Sequence, residues 1–434
     1  MNGIFVGIVL AAFAAAAIRQ LSGDYAVGAT PMEALSRAMV DSAAASVTLA
    51  IGLVGVMALF LGVMKIAEKG GLLVVIARTV QPLMVKLFPD VPRGHPAMGA
   101  MVLNISANVL GLGNAATPFG IRAMQELDRL NPVKGTASDS MAMFLVINTA
   151  SVTLLPTGVI ALRAASGSAD PAGIVSTTLF ATIVSTAVAI VAALLLRRVW
   201  PLPAISPTAG SVGAVEAETE AGTNGQLAVA EVAGYPAWIG WATLAGVVAI
   251  IPLTIFYGQA IGPWIMPGIM AGMLLFGWRR GVAVYDAFIE GAKEGFEIAV
   301  RIIPYLVAIL VAIAMLRESG VMAAVIDPLG LLTAPVGVPA EALTMGFLRS
   351  LSGSGAYAYL ASVLQDPAIG PDSYTGYLLS TIQGSTETTF YVLAVYFGAV
   401  QVKNVRHALA AGLIADVASV AAAVAICWIL FGHL

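Results

Sequence analysis

The chain has 434 residues, a net charge of -3 at pH 7, 59% hydrophobic residues and only 10% charged residues. This composition lies outside the usual range of soluble domains, and the lack of a basic excess argues against a nucleic-acid partner. The single cysteine, Cys427, excludes a disulfide within these residues, and the three histidines are too scattered to indicate a metal site.

Long runs without Asp, Glu, Lys or Arg recur along the chain. A helix needs about 20 apolar residues to cross the hydrocarbon of a bilayer, whereas a soluble core leaves amphipathic stripes. We therefore predict an all-α polytopic membrane protein surrounded by lipid. The charge-free runs are residues 43–64, 97–121, 140–162, 171–196 and 236–278, and the last is long enough for two crossings with a turn at Tyr257, Gly258 and Pro263.

The first predicted membrane half covers residues 1–200. Its first apolar segment, Gly3 to Ile18, has no basic region before it and no convincing cleavage site, so it is predicted to be a retained helix and not a signal peptide. An amphipathic stretch, Met32 to Val40, then leads into the run at 43–64.

Residues 104–118 are too polar and too rich in Gly for a simple spanning helix. Irregular backbone at membrane depth must face protein or a cavity, so we predict a re-entrant helical hairpin with its tip near Gly111 to Asn114. Thr117-Pro118 has the pattern of an N-cap followed by Pro, and the free N–H groups of that second helix would attract an anion or polar solute. Close packing of helices through small residues is the alternative. The candidate binding residues here are Asn104, Asn108, Asn114 and Thr117.

The run at 140–162 is rich in hydroxyl groups and contains Pro156. A spanning helix broken near this proline would expose carbonyl and hydroxyl groups to a solute or cation. The candidate binding residues are Asn148, Ser151 and Thr153.

Residues 201–234 interrupt the hydrophobic pattern with four Glu, no Lys or Arg, and many small, Pro and Gly residues. This composition predicts a flexible linker, and the preceding pair Arg197 and Arg198 indicates that it lies in the cytoplasm. An acidic interaction tail is the alternative. The second predicted membrane half follows at residues 235–434.

A second tip of small residues occurs at Arg349 to Gly355. The serines do not have the spacing of a nucleophile elbow, so catalysis is not expected here. The arginine is unusual in apolar surroundings and indicates a polar site. The candidate binding residues are Arg349, Ser352 and Ser354.

The most polar stretch inside apolar sequence is Gln383 to Tyr391, in which seven of nine side chains carry a polar group. A carboxylate at the depth of Glu387 costs about 2.5 kcal/mol or more unless it is protonated, paired or hydrated. Arg349 is its best partner by sequence, and a buried ion pair that only locks the two halves together is the alternative. The candidate binding residues are Gln383, Ser385, Thr386, Glu387 and Thr388.

Asp416 is a second acid in an apolar run. It is predicted either to relay protons or to pair with His407 or Lys403 near a helix end.

The two halves resemble each other. The stretch that begins at Asp139-Ser140 aligns without a gap with the stretch that begins at Asp372-Ser373, so that Thr153 aligns with Thr386 and Leu154 with Glu387. This self-similarity predicts two pseudo-symmetric repeats with broken transmembrane helices, and the choice between parallel and inverted repeats stays open.

The same motifs carry a resemblance to a known family. GLGNAATPFGIRAMQEL at 111–127 resembles the signature of the spore maturation protein A family, and RSLSGSGA at 349–356 with GSTETTFYVLAVYFGA at 384–399 resembles that of the spore maturation protein B family. The chain therefore resembles a fusion of two nucleoside-recognition, or Gate, domains. The resemblance implies a multi-pass protein of the bacterial inner membrane, related to the gate regions of nucleoside and ferrous iron transporters.

Two functions follow as expectations. The first is ion-coupled transport or gated permeation of a small polar solute, nucleoside-like or a small anion, with Na+ or H+ as coupling ion, because the sequence contains no ATP-binding loop motif. The second is a non-transporting component that assembles or anchors partners. We expect no enzyme and no resident cofactor, since no catalytic constellation is recognised, and assembly into a homo-oligomer is left open.

Overall fold

The computed structural model describes residues 2–23, 25, 30–92, 95–111, 113–202, 235–321, 324, 328, 330 and 332–432. The described part of the chain is helical and contains no β-strand, as the composition predicts. Most of the predicted linker, residues 203–234, lies outside it.

Fifteen α-helices are labelled in chain order within the described residues. They are α1 (Asn2–Ser22), α2 (Pro31–Lys69), α3 (Leu72–Leu87), α4 (Pro96–Val109), α5 (Gly113–Leu130), α6 (Asp139–Thr149), α7 (Thr157–Ala165), α8 (Ile174–Leu196), α9 (Ala237–Arg279), α10 (Val284–Glu318), α11 (Ala340–Leu351), α12 (Gly353–Leu364), α13 (Tyr374–Ser385), α14 (Thr389–Ala399) and α15 (Ala408–Phe431).

Several helices are long and apolar enough to cross a membrane. Within the described residues they are Phe5–Ser22, Pro31–Lys69, Pro171–Leu196 and Ala408–Phe431. The prediction of a turn at Tyr257 to Pro263 is wrong, because these residues lie inside the continuous helix α9. Proline is tolerated inside spanning helices, where neighbouring groups satisfy the carbonyl that it leaves without a donor.

Two of the charge-free runs do not form single helices. The run at 97–121 is divided between α4 and α5 by a turn at Gly111, whose φ of 74° lies in the left-handed region that glycine adopts without strain. The run at 140–162 is divided between α6 and α7 by non-helical residues 150–156, which we call the first break. A matching interruption at residues 386–388, the second break, separates α13 from α14.

The two broken helices run antiparallel to each other. At one end, Arg406 Nη1 lies 2.7 Å from Asp139 Oδ1, just beyond α14 and at the start of α6. In the middle, the Glu387 N–H donates to the Thr149 carbonyl at 2.9 Å, so the two breaks meet. At the other end, Arg163 of α7 lies 3.1 Å from Asp372, which precedes α13.

The apolar core is divided into two clusters, one on each side of the breaks. One cluster of buried side chains packs around α6 and α14, and the other packs around α7 and α13. Helices α8 and α15 contribute to both clusters. They therefore extend along the full length of the broken helices and flank the point where the two breaks meet.

Candidate functional site

A cleft of about 190 Å³ opens where the two breaks meet. Its walls come from both predicted halves of the chain, because residues of the α4–α5 turn and the first break face residues of α11, α13 and the second break. Polar side chains from both sides line it, namely Asn108, Thr153, Thr157, Arg349, Tyr357, Gln383, Thr386 and Glu387.

The first break supplies backbone groups to this cleft. Its non-helical conformation leaves carbonyls and N–H groups without helical partners, and the Leu154 N–H donates to the Val109 carbonyl at 3.0 Å. A Cβ added at Gly111 would lie 2.4 Å from the Leu155 carbonyl oxygen. The α4–α5 turn therefore packs directly on the first break.

The second break is held by Arg349. The residue is 7% exposed, and its guanidinium donates through Nη1 to Thr388 Oγ1 at 2.9 Å and through Nη2 to the Thr386 carbonyl. The same Nη2 lies 3.6 Å from Glu387 Oε2, and the Glu387 side chain is 47% exposed. Glu387 is thus a loosely held carboxylate at the cleft, in contrast to the buried locking pair that was the alternative prediction.

A chain of amides and one phenol leads away from the cleft. Asn108 Nδ2 donates to Asn148 Oδ1 at 2.9 Å, and Tyr396 Oη donates to the same oxygen at 3.4 Å. Asn104 Nδ2 in turn donates to Tyr396 Oη at 3.1 Å and to the Ala116 carbonyl. Sequence reasoning missed Tyr396, which lies on an apolar helix and has only its hydroxyl as a signal.

Two buried polar atoms at the cleft have no hydrogen-bond partner among the described residues. They are Gln383 Oε1, an acceptor, and Arg349 Nε, a donor. Buried polar atoms are normally paired, so these two mark side chains of the cleft wall whose hydrogen bonds are incomplete.

Other predicted residues lie away from the cleft. Ser352 is the N-cap of α12, accepts from the Gly355 N–H at 3.0 Å and lies 3.5 Å from the exposed Ser354. Ser385 is buried against Ser419 at 2.7 Å, and Ser151 is buried in the first break. The Asn114 side chain lies outside the described residues.

The predicted N-cap at Thr117 is wrong. Helix α5 begins at Gly113, so Thr117 and Pro118 lie inside it and not at its start. The Thr-Pro pattern is local, and here the preceding turn at Gly111 decides where the helix begins.

The predicted pairing of Asp416 with His407 or Lys403 is not found in the described structure. Its Oδ2 instead accepts from Ser350 Oγ and from Thr389 Oγ1, both at 2.8 Å. Both donors are hydroxyl groups of helices that are remote in sequence, so charge pairing along the chain could not identify them.

The ion pairs at the ends of the broken helices were also missed. Arg163 is fully buried and donates to the Pro371 carbonyl at 2.6 Å as well as to Asp372. Arg406 likewise donates to the Ala137 carbonyl at 3.0 Å and to Asp139. Each aspartate partner lies more than 200 residues away in the chain, so no local pattern indicates either pair.

This fold and cleft define a multi-pass helical membrane protein whose polar site lies between two interrupted helices. The nucleoside-recognition (Gate) family matches the chain at residues 50–167 and 299–403, about half of its length. The chain belongs to this family, which confirms the resemblance seen in its motifs. One matched region falls in each predicted half.

Two relatives are both from Bacillus subtilis (strain 168). Spore maturation protein B is 46% identical over 167 residues, which cover 38% of this chain and 93% of the relative. Spore maturation protein A is 46% identical over 154 residues, which cover 36% of this chain and 79% of the relative. No solved structure matches the chain.

Proposed function

We propose that this protein moves a small polar solute across the plasma membrane of a bacterium through the cleft between the two breaks. The observation that carries the proposal is the convergence of both breaks on one cleft with unpaired polar atoms. Irregular backbone and charged side chains at membrane depth are costly unless they face a cavity, and in membrane proteins they commonly mark solute or ion pathways.

The cleft favours a solute with both donor and acceptor groups. Gln383 Oε1 can accept a hydrogen bond, Arg349 Nε can donate one, and Glu387 offers a half-exposed carboxylate. Its volume of about 190 Å³ is below the roughly 300 to 1,000 Å³ of typical ligand pockets. A small anion would fit the cleft as it stands, whereas a nucleoside, the ligand class in the family's name, would require the cleft to widen.

The arrangement of short helices supports a gate. Helices α4, α11 and α12 contain 14, 12 and 12 residues, about 21, 18 and 18 Å, which is short of a hydrocarbon layer of about 30 Å. We propose that α4–α5 and α11–α12 are re-entrant hairpins and that the two Gate regions are inverted repeats. The antiparallel course of the two broken helices supports the inverted arrangement over the parallel one.

The energy source in this proposal is an ion gradient, with Na+ or H+ as the coupling ion, and no enzymatic step is involved. A component that assembles other proteins without moving a solute is the alternative. The names of the relatives favour that alternative, because "spore maturation" describes a process and not a transported compound.

The first experiment is a thermal-shift screen of detergent-solubilised protein against nucleosides, nucleobases, dicarboxylates and inorganic anions. A compound that binds the folded protein raises its melting temperature by mass action. Proteoliposome uptake of the best compound, with an imposed Na+ or H+ gradient, then tests transport directly.

Glu387→Gln is the informative variant, and Glu341→Gln, at the start of α11 and outside the cleft, is its matched control. We expect Glu387→Gln to reduce uptake at least tenfold without a large change in melting temperature, while Glu341→Gln transports normally. Equal uptake by both variants would remove Glu387 from the mechanism. If no compound shifts the melting temperature and none is taken up, the assembly role is favoured instead.

A further inference from the structure

Asp416 is a buried acid that the solute cleft does not use. It lies on α15, about 12 Å from the first residue of that helix and about 22 Å from its last, and α15 is long and apolar enough to span the membrane. Asp416 is buried, with 8% of its surface exposed to solvent. The carboxyl group is therefore remote from both ends of a spanning helix.

The hydrogen bonds of this carboxyl group are uneven. Oδ2 accepts from Ser350 and Thr389, whereas Oδ1 is buried without a hydrogen-bond partner among the described residues. An ionised carboxylate with one bare oxygen is costly in low dielectric, and a proton on that oxygen removes the charge.

The charges that face α15 do not balance. Helix α8 carries no titratable group, α13 and α14 carry only tyrosines, and the one acid of α6 is Asp139, which is paired with Arg406 at the far end. Helix α11 has Glu341 in its first turn and Arg349 in its last, and only Arg349 is close enough to Asp416 for an electrostatic interaction. Arg349 already faces Glu387, so one guanidinium serves two carboxylates and leaves one negative charge without a counter-charge.

Asp416 is connected to the cleft through adjacent residues. Ser350 follows Arg349 in the chain, and Thr389 follows Thr388, whose hydroxyl accepts from Arg349 Nη1 at 2.9 Å. A change in the charge of Asp416 would therefore act on Arg349, which also interacts with Glu387.

We propose that Asp416 is a proton-binding site inside the apolar helix α15, which holds its proton while Arg349 faces Glu387. Loss of the proton gives Arg349 a second ionised carboxylate to compensate, which weakens its hold on Glu387 and so changes the polarity of the cleft. The proton site stands on the geometry around Asp416. Its role in coupling rests in addition on the proposed function.

Infrared spectroscopy of the purified protein from mildly acidic to neutral pH tests this site, because a protonated carboxyl group gives a C=O stretching band that a carboxylate lacks. We expect one such band to be lost in Asp416→Asn and retained in Glu387→Gln. Ser350→Ala keeps the aspartate and removes one of its two donors, so it should shift the band, which provides a readout if Asp416→Asn does not fold.

A band that is unchanged in Asp416→Asn and Ser350→Ala, or that disappears in Glu387→Gln, would overturn the proposal. A higher melting temperature of the parent protein in NaCl than in choline chloride, lost in Asp416→Asn, would also overturn it. That result would assign a metal cation to the site. If the band belongs to Asp416 but no solute is taken up, the proton site stands and the transport proposal fails.

Discussion

The ends and the centre of the broken helices use arginine in different ways. At the ends, Arg163 and Arg406 are buried, lie 3.1 and 2.7 Å from their aspartates and also donate to backbone carbonyls. At the centre, Arg349 is equally buried, but its carboxylate partner Glu387 lies 3.6 Å away and is half exposed. The ends thus hold the two predicted halves together, whereas the centre leaves its carboxylate half exposed and weakly paired.

The largest expected effect is at the end that contains Arg163. Removing one partner of a buried ion pair leaves the other charge uncompensated and costs about 3 to 5 kcal/mol. Asp372 is 38% exposed, so we expect Asp372→Ala to lower the free energy of unfolding by about 3 kcal/mol, the lower end of that range. Denaturant titration in micelles would measure the change.

The matched control for that variant is Asp366→Ala. Asp366 lies 3.2 Å from Arg317, which is 50% exposed, and pairs of this kind contribute about 1 kcal/mol or less. If the two variants lose the same stability, the end pairs do not hold the fold. Adding Arg163→Met to Asp372→Ala should recover part of the loss, because it removes the unpaired charge.

The next effect concerns the contact between the α4–α5 turn and the first break. Gly111→Ala forces an alanine into the left-handed region, which costs about 1 to 2 kcal/mol. The added Cβ also clashes with the Leu155 carbonyl, which costs about 1 to 3 kcal/mol. We expect a loss of about 2 to 5 kcal/mol in the free energy of unfolding, measured by the same titration.

Gly135→Ala separates these two contributions. The φ of Gly135 is 77°, so an alanine there has the same backbone strain as at Gly111. Nothing lies within 4 Å of the added Cβ. We expect it to lose only the conformational part, about 1 to 2 kcal/mol. Equal losses for Gly111→Ala and Gly135→Ala would show that the turn does not press on the first break.

The smallest effect is expected at Tyr396. Tyr396→Phe removes the hydroxyl between Asn104 and Asn148, but both amides keep another hydrogen bond, so the loss of stability should be about 1 kcal/mol. Tyr391→Phe, at a tyrosine that is 56% exposed, is the control and should be neutral. If Tyr396→Phe leaves the free energy of unfolding unchanged, the hydrogen-bonded amides do not need this phenol for their stability.

The sequence predicted the helical class and the positions of the interruptions well, because apolar runs, Gly111 and Pro156 are local signals. It also identified Arg349 as the neighbour of Glu387, since few charges lie in apolar surroundings. It failed where the outcome depends on distant contacts. Arg163 meets Asp372, and Arg406 meets Asp139, across more than 200 residues, and no local pattern encodes such pairs.

The helix start at Thr117 shows a different failure. A favourable N-cap pattern was present, but the glycine turn before it had already fixed the course of the backbone. For Asp416 the charge was visible in the sequence, while its two hydroxyl partners were not. Both cases show that polar residues in a membrane helix are interpreted correctly only when the packing partner is known.

Solute binding and stability measured on the same two variants test the central claim most directly. With the best compound of the thermal-shift screen, Asp372→Ala should melt well below the parent protein but bind with unchanged affinity while it is folded. Glu387→Gln should melt close to the parent and bind at least tenfold more weakly. If Glu387→Gln instead loses stability like Asp372→Ala and keeps its affinity, then the central pair is a structural lock and the cleft is not the binding site.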